Sequence, residues 1–164
     1  MPNTILNHKQ IGYKFIRLAW QVYENNMDES SIWLVGIDQR GHFIAQSIAK
    51  ALAEISQQRI EVVQVDVLNQ AEPVYHANAD LSEMSNGVVI LVDDVLNSGK
   101  TIMKAMVPML SMQVSKIQVA VLASRSHKLY PIKADYVGIS MATTLHEHLT
   151  FDNTQPDQLL LTLN

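Results

Sequence analysis

Apolar residues recur at three- and four-residue steps between Asn7 and Asn26, at Ile11, Phe15, Leu18, Ala19 and Val22. That spacing predicts a helix with one buried face. Asn7, with Gln10 three residues on, supplies a capping box at its start. The apolar run Ile32 to Val35, rich in β-formers and stopped by Gly36, predicts a buried strand. A turn over Ile37 to Gly41 leads to a second helical pattern of Phe43, Ile44, Ser47, Ile48, Ala51, Leu52 and Ile55. Arg59 to Val67 alternates polar and apolar positions and predicts another strand. Ala71 to Asn86 has no period and contains Pro73, Asn78 and Asp80, so it predicts mostly loop. Val88 to Val92 is five consecutive aliphatics, the pattern of a central strand covered on both faces. Ser98 to Leu110 is helical again, with Pro108 shaping or ending its last turn. Ile117 to Leu122 and Tyr136 to Ile139 predict further strands, and Leu159 to Leu161 an edge strand in the tail.

Strands alternating with helices, around fully apolar central strands, imply an α/β fold of three layers. Its central sheet is mainly parallel, with helices on both faces. Ligands on such sheets lie beyond the carboxyl ends of the strands. This rule singles out two loops, Ile37 to Gly41 and Asp93 to Thr101.

Composition narrows the function classes. The chain has 164 residues, 48% hydrophobic and 17% charged, which fits one globular domain over residues 1–164. It has no cysteine, which removes disulfide scaffolds, zinc-thiolate sites, iron–sulfur centres and thiol nucleophiles together. Twelve Lys and Arg against 16 Asp and Glu give a net charge of −4, a poor balance for RNA binding. No apolar stretch approaches the ~20 residues of a membrane span. Met1 to Gln10 lacks a signal-peptide core, so a cytoplasmic protein is expected.

The chemistry concentrates in Val88 to Thr101. A buried strand ends in Asp93 and Asp94, and the polar turn Asn97-Ser98-Gly99 opens a helix at Lys100-Thr101. Such a turn aims backbone N–H groups and the positive end of the helix dipole at one spot, and a phosphate monoester fits there. Two carboxylates repel that phosphate but suit vicinal hydroxyls or a hydrated divalent cation shared with phosphate oxygens. Together these groups describe a phosphorylated ribose. Two other readings exist. Gly99-Lys100-Thr101 suggests a P-loop, but the glycine required five positions before Gly99 is Asp94. The plainer alternative is an acidic strand end followed by an ordinary helix start capped at Asn97 or Ser98.

Val88 to Thr101 resembles the phosphoribosyl-pyrophosphate (PRPP) motif of the type I phosphoribosyltransferases. Leu34-Val35-Gly36-Ile37-Asp38-Gln39-Arg40-Gly41 resembles that family's pyrophosphate loop, and Leu122 to Ser140 is similar to the closing segment of its pyrimidine-operon attenuator branch. Members of that branch have uracil phosphoribosyltransferase activity and also bind RNA. The resemblance runs from about Ile5 to Phe151.

It implies that Asp93 and Asp94 hold the ribose hydroxyls, with Asp93 also touching magnesium (Mg2+). It implies that Val95, Asn97, Ser98, Gly99, Lys100 and Thr101 bind PRPP and that Gln39, Arg40 and Gly41 meet the pyrophosphate. The base pocket falls near Val95, Ser124 and Ile139. The implied reaction displaces magnesium pyrophosphate from C1 of the ribose by a ring nitrogen of a nucleobase, uracil by branch, in a homodimer or higher homo-oligomer. No covalent intermediate is needed, so positioning and electrostatics carry the catalysis.

Three features depart from the branch. The stretch Asn69 to Gly87, where the resembling proteins carry a long mobile lid, is abridged and has no Lys or Arg. Loss of a lid weakens water exclusion. Asp38 places an acid beside a polyanion where the branch tends to carry a base, and the net charge disfavours RNA. The alternative function is therefore a weak or inactive regulator that binds PRPP or a nucleotide. Elsewhere, His146-Glu147-His148 lacks a third metal ligand and reads as a solvated strand end or dimer edge. His127 and Lys128 after Arg125 read as an exposed loop, with a small basic patch as the alternative. Met103, Met106, Met109 and Met112 read as core or interface filling.

Overall fold

The computed structural model of the chain describes residues 1–164. In chain order the elements are β1 (Asn3–Leu6), α1 (His8–Asn25), β2 (Ser31–Ile37), α2 (Asp38–Ile55), β3 (Arg59–Asp66) and β4 (Val74–His76). A 3₁₀ turn at Leu81–Met84 leads to β5 (Val88–Leu96), α3 (Lys100–Ser111), β6 (Lys116–Arg125), β7 (Tyr136–Met141), β8 (Leu149–Asp152) and β9 (Leu160–Leu163). The main sheet has the order β4-β3-β2-β5-β6-β7. All its pairings are parallel except that of the edge strand β4. The expected α/β class is therefore the observed one.

Val88 to Val92 carry no exposed surface, because helices cover both faces of the strand. On one side α1 and α2 bury Ile11, Phe15, Leu18, Ile44, Ile48 and Leu52 against Ile90 and Val92. On the other, α3 buries Ile102, Ala105 and Met109 against Val89 and Leu91. Met103, Met106 and Met112 pack against this second core, so the methionine row of α3 is core filling. The capping box of α1 is present: the Asn7 side chain accepts from Gln10 N at 3.0 Å, and the Gln10 side chain accepts from Asn7 N at 2.9 Å.

Four expectations change. No turn separates β2 from α2; the helix starts at Asp38 in the stretch expected to be a loop. The two glycines explain the abrupt junction. A Cβ on Gly36 would lie 2.3 Å from His42 Cα, and one on Gly41 would lie 2.5 Å from the Val92 carbonyl oxygen. Only bare backbone fits there. Strand β5 runs through Asp93 and Asp94 to Leu96, because its ladder with β6 continues from Asp93↔Val121 to Leu96↔Ser124. The expected loop at Ala71 to Asn86 contains β4 and the 3₁₀ turn. In the tail, β9 is the centre of a separate antiparallel sheet of order β1-β9-β8, not an edge. That sheet adds Phe151 and Leu161 to the first core. No helix is long and apolar enough to cross a membrane.

Candidate functional site

The carboxyl ends of β2, β3 and β5 open into a cleft of about 700 Å³. Asp38, Gln39 and Arg40 from the first turn of α2, Gln64 and Asp66 from β3, and Asp93, Asp94 and Val95 from β5 line it. Asn97 and Thr101 close one side, and Leu149 arrives from the small sheet. Beside it lies a cup of about 40 Å³ between Asp93, Val95 and the segment Leu96–Gly99 with Thr101 and Ile102. The residues expected to bind a phosphorylated ribose are thus brought together, with three qualifications. Gly41 is beneath the cleft, against Val92, and acts as a spacer. Lys100 lines neither cavity. Ser124 lines a separate hollow of about 260 Å³ with Arg125, Lys128 and Ser140, while Ile139 packs against the first core. Val95, Ser124 and Ile139 nonetheless sit on adjoining strand ends, through the pairs Val95↔Ala123, Leu96↔Ser124 and Ala123↔Ile139.

The local backbone makes the cup. Gly99 precedes α3 with φ +90°, a left-handed conformation natural to glycine. An added Cβ there would press within 3.2 Å of the Ile132 side chain. Gly99 itself has no side chain to cap α3, and of the first-turn amides only Lys100 N finds a side-chain acceptor, the Ser98 hydroxyl at 3.3 Å. The first-turn N–H groups of a helix have no intrahelical acceptor, so they and the positive end of the dipole are offered to a ligand. The carbonyl of Ser98 holds the turn by accepting from Leu129 N at 2.9 Å and Tyr130 N at 3.0 Å.

The two aspartates differ in environment. Asp93 is 9% exposed, and its carboxylate accepts from Asp94 N at 2.9 Å. Burial, and then the neighbouring Asp94 charge, push its carboxyl well above the ordinary value. Asp94 accepts from Val95 N at 2.8 Å and faces Arg40, whose Nη1 is 3.8 Å from Asp94 Oδ2. With the Arg40 side chain about half exposed, that pair is weak and the guanidinium is free to turn elsewhere.

Asp38 lines the cleft, and its charge adds to those that raise Asp93, but its carboxylate is tied to backbone at the end of β3. Its φ is +53°, and its Oδ1 accepts from Val67 N at 2.9 Å and Leu68 N at 3.3 Å, tying the start of α2 to the end of β3. Aspartate tolerates the left-handed region because its short side chain bonds nearby backbone.

Sequence reasoning missed two groups. Asp66 stands in the cleft wall, where Gln64, ahead of the His76 ring, holds its carboxyl below the ordinary value. Its place at the carboxyl end of β3 was the available signal. Arg125 is 7% exposed and is not part of a basic patch. It donates to Thr143 Oγ1 at 2.8 Å, Asn97 Oδ1 at 3.0 Å and the Thr144 carbonyl at 3.1 Å, so it fixes the cup from behind. Arg125→Met frees Asn97, and ordering one backbone residue on binding costs about 1 kcal/mol. The affinity for a ligand in the cup is therefore expected to fall about fivefold by calorimetry. An unchanged affinity contradicts this role.

His146, Glu147 and His148 occupy the turn before β8, where Glu147 accepts from Thr144 N at 2.7 Å. No three His, Asp or Glu side chains converge to hold an ion. Oxygen donors are still the right chemistry for magnesium, which keeps its waters and binds through one or two carboxylates plus ligand phosphates. Asp93 and Asp94 fit that use.

Known proteins resemble the chain in both sequence and shape. The phosphoribosyl transferase domain model matches residues 2–151. The bifunctional protein PyrR of Bacillus cereus (strain AH820) is 33% identical over 166 residues, covering 94% of this chain and 92% of its own. That of Bacillus mycoides (strain KBAB4) matches to the same extent. Among solved structures, the hypoxanthine phosphoribosyltransferase of Trypanosoma cruzi superposes with a TM-score of 0.79 at 11% identity, covering 97% of this chain and 95% of that one. A hypoxanthine-guanine phosphoribosyltransferase from Bacillus anthracis gives 0.73 at 15% identity, covering 87% and 84%. The solved structures share the fold, and the sequence matches carry the lineage: the chain belongs to the type I phosphoribosyltransferases, on the pyrimidine-operon regulator branch.

Proposed function

We propose that this protein, a single cytoplasmic domain acting as a homo-oligomer, transfers the 5-phosphoribosyl group from PRPP to a nucleobase, uracil, with release of pyrophosphate. The observation that carries the reading is the glycine-led start of α3 beside two adjacent strand-borne aspartates in one cleft. In it the amides of Asn97 to Thr101 hold the 5′-phosphate and Asp93 and Asp94 accept from the ribose hydroxyls. Gln39 and Arg40 meet the pyrophosphate, and Arg40 leaves Asp94 to fork onto two of its oxygens. Val95, between cleft and cup, abuts the base, with Ser124 and Ile139 on the neighbouring strand ends.

The cleft holds Asp38, Asp66, Asp93 and Asp94 against one cation, Arg40. A polyanion enters such a wall with its charge already partly neutralised, which supports a magnesium requirement. When bound, magnesium offsets the charge that grows on the leaving pyrophosphate. The chain's own residues hold the phosphate and hydroxyl ends so that C1 faces the base nitrogen. Arg40→Ala is expected to raise the KM for PRPP about tenfold, and Arg40→Lys to recover only part, because an ammonium cannot fork. Steady-state kinetics at varied PRPP checks this.

A second reading has its own support. Residues 69–87 contain no Lys or Arg; Gln70 reaches the cleft wall, and Val74–His76 fold back as β4 on β3. The Tyr75 hydroxyl pins that strand to the Ala105 carbonyl of α3 at 3.1 Å. A site without a basic lid suits a regulator that binds PRPP or a nucleotide and turns over slowly; its net charge of −4 disfavours RNA as the partner. Turnover decides between the two. With PRPP, magnesium and uracil, hypoxanthine, guanine or adenine in turn, nucleotide and pyrophosphate from uracil are expected. PRPP binding with no product from any base favours the regulator.

A further inference from the structure

The hollow of about 260 Å³ at the carboxyl ends of β6 and β7 shares no residue with the cleft or the cup. Ser124 and Ser140 are paired across the two strands, and Arg125, Ser126 and Lys128 complete its polar wall. No acid lines it. The cleft, by contrast, carries four aspartates against one arginine. In a chain of net charge −4, an acid-free hollow with two cations is a local inversion of the protein's charge.

Arg125 is the buried member of that pair, 7% exposed, yet no carboxylate lies within ion-pair distance of it. Its hydrogen bonds to Thr143 Oγ1, Asn97 Oδ1 and the Thr144 carbonyl all go to neutral acceptors. They use three of the five N–H groups of a guanidinium. Glu147 feels the charge, but its carboxylate accepts from Thr144 N. A cation held from water without a counter-charge is costly, and an anion in the adjoining space offsets that cost.

The remaining donors are free and their support is fixed. The hydroxyls of Ser124, Ser126 and Ser140 take no part in the chain's own hydrogen bonds, unlike those of Ser47, Ser56, Ser98, Ser111 and Ser115. The segment after β6 is tied down where His127 Nε2 meets the Thr143 carbonyl and where Leu129 N and Tyr130 N donate to the Ser98 carbonyl.

We propose that this hollow is an oxyanion site, separate from the cleft, that takes a free phosphate ion. Three hydroxyls can turn their protons toward its oxygens, Arg125 supplies a fixed positive charge, and Lys128 supplies a second one on a flexible stem. The hollow is smaller than the ~300 Å³ at which drug-sized ligand pockets begin, so a compact ion suits it better than an organic anion. The inference goes beyond the proposed function and does not rest on turnover in the cleft.

Amide NMR of the full chain, titrated with inorganic phosphate in saturating PRPP, tests it. PRPP fills the cup, so the remaining response reports the hollow. The amides of residues 124–128 and 140–142 are expected to shift along a saturable curve, and sodium chloride at matched ionic strength to leave them unmoved. Lys128 and Ser140 are exposed, so their replacement leaves the core intact. Lys128→Glu is expected to weaken phosphate binding by at least about tenfold and Ser140→Val by about fivefold, with the PRPP affinity unchanged. A response confined to Asn97–Thr101, one equalled by chloride, or indifference to both variants overturns the proposal. Displacement of the phosphate by uracil also overturns it, by assigning the hollow to the base. Failure of PRPP to bind, with the phosphate response intact, leaves this site standing and counts against the proposed function alone.

Discussion

Asp94→Asn is expected to weaken PRPP binding about tenfold, and Asp93→Asn to weaken it comparably while making the protein more stable. The first effect follows from losing a charged acceptor for a ribose hydroxyl, worth about 1.5 kcal/mol when the hydrogen bond involves an ion. The second follows from Asp93's surroundings. Burial and the adjacent Asp94 charge raise its carboxyl above the ordinary value near 3.8. Its stability contribution is therefore fully present below the unfolded-state pKa and is lost as the pH rises through the higher native one. Asparagine keeps the oxygen that accepts from Asp94 N without carrying charge. At pH 7–8 Asp93→Asn is expected to melt higher than wild type by at least about 3 °C, the shift of ~1 kcal/mol in a domain of this size. The two melting curves are expected to converge toward pH 4. A site kept at the expense of stability behaves in this way. Thermal melts across pH, with calorimetry of PRPP binding, check both halves; a lower melting temperature for Asp93→Asn at neutral pH contradicts the electrostatic account.

Gly36→Ala is expected to be the most damaging single methyl group in the chain. The added carbon would stand 2.3 Å from His42 Cα and 2.5 Å from His42 N, both backbone atoms that cannot swing aside. The start of α2 must then move off β2, taking Arg40 and the Asp38 tie to β3 with it. Overpacking at a rigid contact costs about 3 kcal/mol or more. Gly12→Ala is the matched control, since a Cβ there meets nothing within 4 Å and alanine favours a helix interior. Urea denaturation is expected to show Gly36→Ala strongly destabilised and Gly12→Ala neutral or slightly stabilised. Equal stabilities would show that the junction yields.

What could be read from the sequence followed physical range. The face of α1, its capping box, the wholly apolar β5 and the phosphate turn are encoded by residues within one or two turns of each other. The small sheet was not legible. β1 and β9 pair across nearly the whole chain, as Asn3↔Leu163 and Thr4↔Thr162, and such short strands carry no period of their own. The β2–α2 junction reads as a loop in the sequence because Gly36 and Gly41 look like breakers locally. In three dimensions they are the points where strand and helix backbones touch. Asp93 and Asp94 looked like the end of a strand because they are polar, yet β6 continues to pair through them. Arg125 reads as part of a surface basic run until Asn97, Thr143 and Thr144 are seen around it. In the site, the carboxylates and the phosphate turn were legible, whereas Asp66 and Leu149, brought in by tertiary packing, were not.

One end of a phosphorylated ribose is expected on the amides opening α3, with its vicinal hydroxyls at the paired acids. A crystal structure of the protein soaked with PRPP and magnesium tests it most directly. The 5′-phosphate is expected in the small cup at Asn97–Thr101, with ribose oxygens at hydrogen-bond distance, about 2.5–3.0 Å, from Asp93 and Asp94. A phosphate bound elsewhere, or a ribose whose hydroxyls turn away from both aspartates, would contradict it.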